Sequence, residues 1–300
     1  MQCMSPIRVR GQLMPCGRCP ACMRNKSNQW VFRMNEEMKV SNHVYFFTLS
    51  YRDEDLPMAC YVPEKRVFPC VSRRDIQLFL KRLRKKLEVS FKYHIVAEYG
   101  PNTLRPHYHG MIFSQFVILQ EDVLSAWQHQ DLVYKTFDET FDRNAAGYCA
   151  KYLGKIPFLP DYIKNSDRIY RPFTLCSKGL GLTYLETNPQ LVSKKINQLE
   201  DFVLLDGRKQ SMPRYYANKL FPIDKDGIEN RESLHYQLKL RKAKLRYDIE
   251  RKRYLIFCKT YKFVIDSAAS IEKWNDHKKM ICSDAWRQAF KKFKNKKEKL

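Results

Sequence analysis

The stretch Arg105-Pro-His-Tyr-His-Gly-Met-Ile-Phe-Ser114 sets His107 and His109 two positions apart at the start of an apolar run. In a β-strand alternate side chains share a face, so both imidazoles project together while Tyr108 points the other way. Two imidazoles so placed can share a divalent cation. About forty residues later, Tyr148-Cys-Ala-Lys-Tyr-Leu-Gly-Lys155 spaces Tyr148 and Tyr152 four apart, with Lys151 and Lys155 each three residues after a tyrosine. On a helix that spacing puts both phenols on one face, each with an ammonium beside it. The chemistry this equipment suits is tyrosine attack on a phosphodiester. A phenol of pKa about 10 is only about one part in a thousand ionised at pH 7, a gap of roughly 4 kcal/mol. A cation on the scissile phosphate and an ammonium near the phenol both narrow that gap. Glu98 is the expected third ligand, with His94, four residues earlier on the same strand face, in reserve. Mn²⁺ accepts imidazole plus carboxylate more readily than Mg²⁺, whereas cellular abundance favours Mg²⁺. Each motif alone also has a plain reading, as satisfied histidines and as core tyrosines.

These residues need a scaffold. Segment 43–51, His-Val-Tyr-Phe-Phe-Thr-Leu-Ser-Tyr, is aromatic and β-branched and predicts a central strand carrying no chemistry. Strands at 92–99 and 107–113, joined through Gly100-Pro-Asn, are expected to pair antiparallel and bring Glu98 near the histidines. Helices are predicted at 23–40, at 73–88, near 120–130 and, carrying the tyrosines, near 142–153 with an end at Gly154. The second is amphipathic, burying Ile76, Phe79, Leu80, Leu83 and Leu87, and its basic face (Lys81, Arg82, Arg84, Lys85, Lys86) either touches DNA or is simply solvated. Residues 52–70, with Pro57, Pro63 and Pro69, read as loop. This order implies an α+β fold, an antiparallel sheet with helices on one or both sides.

Four of the ten cysteines lie in the first 22 positions, where Cys16, Cys19 and Cys22 follow a CxxCxxC spacing and Cys3 precedes them. In a reducing compartment such thiolates favour structural zinc over disulfides; free thiols or an iron–sulfur cluster are the alternatives. Cys60, Cys70, Cys149, Cys176, Cys258 and Cys282 show no ligand spacing and read as buried or free small residues. Lys plus Arg exceed Asp plus Glu by 55 to 32 over 300 residues, a net +23 that favours a polyanionic partner. Residues 231–300 hold 21 Lys/Arg against 8 Asp/Glu, so more than half of the excess lies in that helical tail. Interleaved aromatics there, among them Tyr247, Phe257, Trp274 and Trp286, can stack on unpaired bases or can dock the helices. The closing Lys291–Lys299 run is expected to be a frayed phosphate-binding tail. Neither a membrane span nor a leader peptide is expected. No GxxxxGK[ST] loop occurs, so unwinding is expected to come from elsewhere.

Phe46-Phe-Thr-Leu-Ser-Tyr51, Ala97-Glu-Tyr-Gly100, Thr103-Leu-Arg-Pro-His-Tyr-His109 and Gly147-Tyr-Cys-Ala-Lys-Tyr-Leu-Gly-Lys155 together resemble the replication initiation proteins of the Microviridae, gokushovirus type, within the HUH endonuclease superfamily. Pro15-Cys-Gly-Arg-Cys-Pro-Ala-Cys22, Ser177-Lys-Gly-Leu-Gly181 and Pro213-Arg-Tyr-Tyr216 extend the likeness to about residue 220. The resemblance implies a central sheet of about five antiparallel strands, with Tyr148 and Tyr152 as paired nucleophiles, Lys151 between them, and Mg²⁺ or Mn²⁺ as cofactor. It implies rolling-circle replication: a nick, a 5′-phosphotyrosyl link, a free 3′-OH primer and rejoining to a circle. The partners would be single-stranded and replicative-form origin DNA with a host helicase and polymerase, in the bacterial cytoplasm. Three parts are expected: a Cys-rich segment over 1–40, the nickase over 41–220 and a basic helical extension over 221–300. A plasmid relaxase or transposase of the same superfamily, or a non-catalytic basic nucleic-acid-binding protein, are the competing readings.

Overall fold

The computed structural model describes residues 3, 6–9, 12–17, 19–100, 103–129, 137–140, 143–151, 159–222 and 232–297. Two compact units emerge, one Lys26–Thr187 and the other Met1–Asn25 with Asn188–Leu300. In chain order the N-terminal hairpin is β1 (Ile7–Val9) and β2 (Gln12–Met14), followed by α1 (Pro20–Met38), which crosses from one unit into the other. Next come β3 (His43–Leu49), β4 (Met58–Tyr61), β5 (Arg66–Pro69), α2 (Arg73–Leu87), β6 (Phe91–Tyr99), β7 (Pro106–Ser114) and α3 (Gln120–Trp127). Then follow β8 (Phe137–Glu139), α4 (Arg143–Lys151), α5 (Asp161–Asn165), β9 (Thr174–Cys176) and α6 (Thr183–Glu186). The remainder is α7 (Pro189–Asn197), β10 (Phe202–Leu205), β11 (Arg208–Ser211), α8 (Arg214–Leu220), α9 (Leu234–Tyr261) and α10 (Ala268–Lys297).

Lys26–Thr187 is built on a five-stranded antiparallel sheet in the order β8-β3-β7-β6-β9. The fold class is therefore α+β, as the motif order implied. Alternation along the strands sends two sets of side chains to opposite faces. Phe47, Leu49, Ile95, Tyr108 and Ile112 meet Ile76, Phe79, Leu80 and Leu83 of α2 and Val123 and Trp127 of α3. On the other face Val44, Met111 and Phe113 meet Met34 and Met38 of α1 and Ala146, Cys149 and Ala150 of α4. Register between β3 and β7 depends on Gly110: a Cβ there would lie 2.2 Å from Cζ of Phe47, the residue opposite it. Only hydrogen lets the phenylalanine ring lie over the strand.

Tyr108, between the two histidines, explains how the α2 face locks to the sheet. Its hydroxyl accepts from the Ser72 amide at 2.7 Å and lies 2.9 Å from the Tyr51 hydroxyl, which donates to Asp75 at 2.7 Å. Ser72 in turn caps α2, its Oγ accepting from the Asp75 amide at 3.2 Å. Burial pushes the Tyr51, Tyr99 and Tyr108 phenols up, so these are structural hydroxyls that stay protonated.

Several expectations need revision. Residues 52–70 contain the β4–β5 hairpin, with Pro63 in the turn and Pro69 closing β5; prolines at these margins withdraw no interior ladder donor. The basic face of α2 is partly committed: Arg82 donates to the Ala126 carbonyl, Lys86 to Ser125 and Asp122 of α3, and Arg84 lies over Phe91 and Tyr93. That helix also covers the sheet face opposite the histidines. The 291–297 segment, expected to fray, continues α10, because no proline or glycine interrupts it. In the second unit Tyr254, Phe257 and Cys258 of α9 pack with Phe263 and Trp274, so these aromatics join the two C-terminal helices to each other. No helix among the described residues is long and apolar enough to cross a membrane.

Candidate metal and nucleophile site

Glu98 closes β6 and His107 opens β7, and the two residues stand directly opposite in the antiparallel register. His109 is one pleat further on, on the same face. Its Nε2 lies 3.1 Å from Glu98 Oε1. Its Nδ1 lies 2.9 Å from Thr48 Oγ1, brought alongside by the Thr48–His109 pairing of β3 with β7. The three strands thus place a carboxylate, two imidazoles and a hydroxyl on one face.

Ring contacts hold the imidazoles nearly parallel. His107 and His109 have centroids 6.5 Å apart at 10°, and Phe46 stacks on His109 at 6.2 Å and 15°. Gly100 lies against the far side of His107, where an added Cβ would approach Cε1 to 3.2 Å. Burial, and next the adjacent His109, hold His107 below its ordinary pKa, partly offset by Glu98. A neutral imidazole is the form that ligates a cation. The donor set of two imidazole nitrogens and a carboxylate, two of them buried, fits a divalent ion. Glu98 Oε1 sits on His109 rather than midway among all three residues.

His94 is not a member of this group. It shares the strand face with Glu98, yet four residues of strand separate them by about 13 Å. Its ring is wholly buried against Trp30, with centroids 4.6 Å apart, and neither ring nitrogen has a hydrogen-bond partner. Tyr148 and Lys151 belong to α4, whose Ala146, Cys149 and Ala150 pack it on the histidine-bearing face, against β6 and β7. Tyr152 and Lys155, like the expected helix end at Gly154, lie outside the described residues. Thr48 is the residue that sequence reasoning passed over; the strand expected to carry no chemistry supplies it. A signal existed, since a hydroxyl stands among apolar residues on a strand predicted to neighbour the histidines.

In the other unit, Cys3, Cys16, Cys19 and Cys22 gather so that all four sulfurs lie within 4.8 Å of one another. Among the described residues they are the one group of three or more metal-ligating side chains so tightly placed. Cys19 Sγ is 3.8 Å from Cys3 Sγ, the separation of about 3.8 Å that Zn–S bonds of about 2.3 Å impose on a tetrahedron. The amides of Cys16 and Cys19 donate to Cys3 Sγ at 3.2 Å and Cys16 Sγ at 3.3 Å. No disulfide occurs among the described cysteines. The geometry fits a four-thiolate zinc site. Of the remaining cysteines, Cys70, Cys149 and Cys258 are buried, Cys176 is half-buried and Cys60 exposed.

Comparison with known proteins converges on the same region. Residues 44–157, which carry β3, β6, β7 and α4, match the family model for the replication-associated protein ORF2. The chain is 29% identical over 227 residues to replication-associated protein ORF2 of Spiroplasma virus 4, covering 69% of this chain and 67% of that protein. It is 26% identical over 230 residues to replication-associated protein VP4 of Bdellovibrio phage phiMH2K, covering 68% of this chain and 66% of that one. No solved structure matches. What the chain is similar to, over about two thirds of its length, is a set of phage replication-associated proteins.

Proposed function

We propose that this chain acts in phage DNA replication as a metal-dependent nickase and strand transferase that starts rolling-circle synthesis. The observation that carries the reading is the joint placement of Glu98, His107 and His109 on adjoining strands, under the helix that bears Tyr148. Similarity to phage replication-associated proteins supports the same reading. Glu98, His107 and His109 would hold Mg²⁺ or Mn²⁺. Bound there, the ion supplies charge stabilisation to the scissile phosphate.

The chain's own residues account for the rest. The Tyr148 or Tyr152 phenol oxygen attacks the phosphorus; one P–O bond forms to tyrosine as the bond to the 3′ oxygen breaks. The phenolic proton ends on that leaving oxygen, giving a 3′-OH primer and a 5′-phosphotyrosyl link. Lys151, with Lys155, lowers the cost of the phenolate by proximity of its ammonium. The second tyrosine cuts the regenerated origin after one round, and the freed 3′-OH attacks the phosphotyrosine to close a circle. The bond exchanged keeps the phosphodiester energy, so no nucleotide is consumed. Unwinding and synthesis fall to a host helicase and polymerase. Structural zinc on Cys3, Cys16, Cys19 and Cys22 is part of the proposal.

The test is incubation of the purified chain with end-labelled single-stranded phage genome DNA and Mn²⁺, resolved on a denaturing gel. A protein-linked 5′ end that persists in one of Tyr148→Phe and Tyr152→Phe and vanishes in the double variant is expected. Tight binding of origin DNA that stays uncut under every condition would favour the non-catalytic binding protein instead.

A further inference from the structure

The half-buried Thr48 hydroxyl lies between a strand backbone and an imidazole edge, and its 2.9 Å contact to Nδ1 fixes which edge of His109 faces Glu98. Imidazole has two nitrogens and one ring proton when neutral, so the partner on one nitrogen sets the state of the other. Phe46 and His107 hold the ring's plane by stacking but exert no preference between its two edges. That preference rests on hydrogen bonds. With Nε2 protonated and donating to Glu98, Nδ1 accepts from the Thr48 hydroxyl. With Nε2 given over to a cation, Nδ1 carries the proton and donates to Thr48. A hydroxyl can act in both senses; a carboxylate can only accept and an ammonium can only donate.

We infer that Thr48 is a positioning residue for His109, keeping Nε2 aimed at the Glu98 side and following the tautomer change that cation binding demands. The inference rests on the reading of Glu98, His107 and His109 as a cation site. It assigns to β3 a part in that site, and it accounts for a hydroxyl at the β3 position paired with His109. Valine is close in shape and is at least as good a strand former, so removing the hydroxyl leaves the packing intact.

The experiment is Mn²⁺ titration of the metal-free full chain without DNA, followed by loss of the free-ion electron paramagnetic resonance signal, with circular dichroism to verify folding. Thr48→Val is expected to weaken Mn²⁺ binding about 10–100-fold, the usual effect of losing a partner behind a ligating histidine. Thr48→Ser, which restores the hydroxyl, should bind within a few-fold of the wild type, and this variant keeps the test decisive if valine disturbs the strand. Should Thr48→Val bind as the wild type does while His109→Ala binds weakly, the role given to Thr48 is wrong and the cation site stands. Should His109→Ala also bind as the wild type does, the cation-site reading itself fails, and the inference with it.

Discussion

His94 and Gly110 show how single residues are constrained by what surrounds them. Burial first, and the Arg33 charge second, push the His94 pKa down to about 3. Its folded-state value is lower than the unfolded one, so the unfolded chain takes up a proton first as pH falls. Stability is therefore unaffected above about pH 6.5 and declines below it, until pH approaches the folded value. The slope is about 1.4 kcal/mol per pH unit, or about 2 kcal/mol between pH 7 and pH 5. Urea unfolding of wild type and His94→Phe at both pH values checks this: the wild type should lose about 2 kcal/mol more than the variant, and equal losses would refute the assignment. Because neither ring nitrogen is hydrogen-bonded, the phenylalanine variant should be no less stable at pH 7. Gly110→Ala should behave oppositely. Its methyl group meets the Phe47 ring within the core, and overpacking of this kind costs about 1–3 kcal/mol. A melting temperature equal to the wild type's would contradict the packing described for β3 and β7.

At the scale of elements, the antiparallel β6–β7 pair assembles the candidate site and α2 anchors the sheet from behind. The pairing was readable because its signals are local: apolar runs, a Gly-Pro-Asn connection and alternation that puts His107 and His109 together. The amphipathic period of α2 was equally legible, and its buried set matches Ile76, Phe79, Leu80 and Leu83. Its capping residue gives a prediction at this scale. Ser72→Ala removes the side-chain acceptor for the Asp75 amide and should lower stability by about 1 kcal/mol, measured as a shift in the urea midpoint. The β4–β5 hairpin was hidden by its three prolines, and short β8 and β9 are edge strands whose few residues give no periodic signal. Use of the α2 basic face was misjudged because charge alone does not say whether a guanidinium meets solvent, a carbonyl or an aromatic ring; here Arg82 and Arg84 take the last two.

For the whole molecule, the charge distribution makes binding to nucleic acid strongly salt-dependent if the proposed function holds. Arg241, Lys244, Arg246 and Lys252 on α9 are all exposed. Replacing the four with alanine should make the plot of log affinity against log salt for single-stranded DNA shallower by up to roughly 3, at about 0.7 for each phosphate no longer neutralised. An unchanged slope would take this helix out of the DNA interface. The cysteine cluster predicts about one zinc per chain by elemental analysis, absent from Cys16→Ser/Cys19→Ser, since thiolates hold zinc only as a set. Both measurements are independent of nicking.

Local order along the chain was enough to establish the α+β class, the histidine pair with its opposing glutamate, and the cysteine spacing, because each depends on residues close in sequence or on a repeating period. Long-range folding governed what distant segments bring to the same place. It put Thr48, sixty-one residues before His109, against the imidazole, and moved His94 out of the site although strand alternation had left it eligible. It also set Cys3 beside Cys19 and grouped the N-terminal segment with the chain after residue 187. Alternation fixes which face a side chain takes; only strand register and helix packing fix its distance from a partner, and the chemistry depends on that distance.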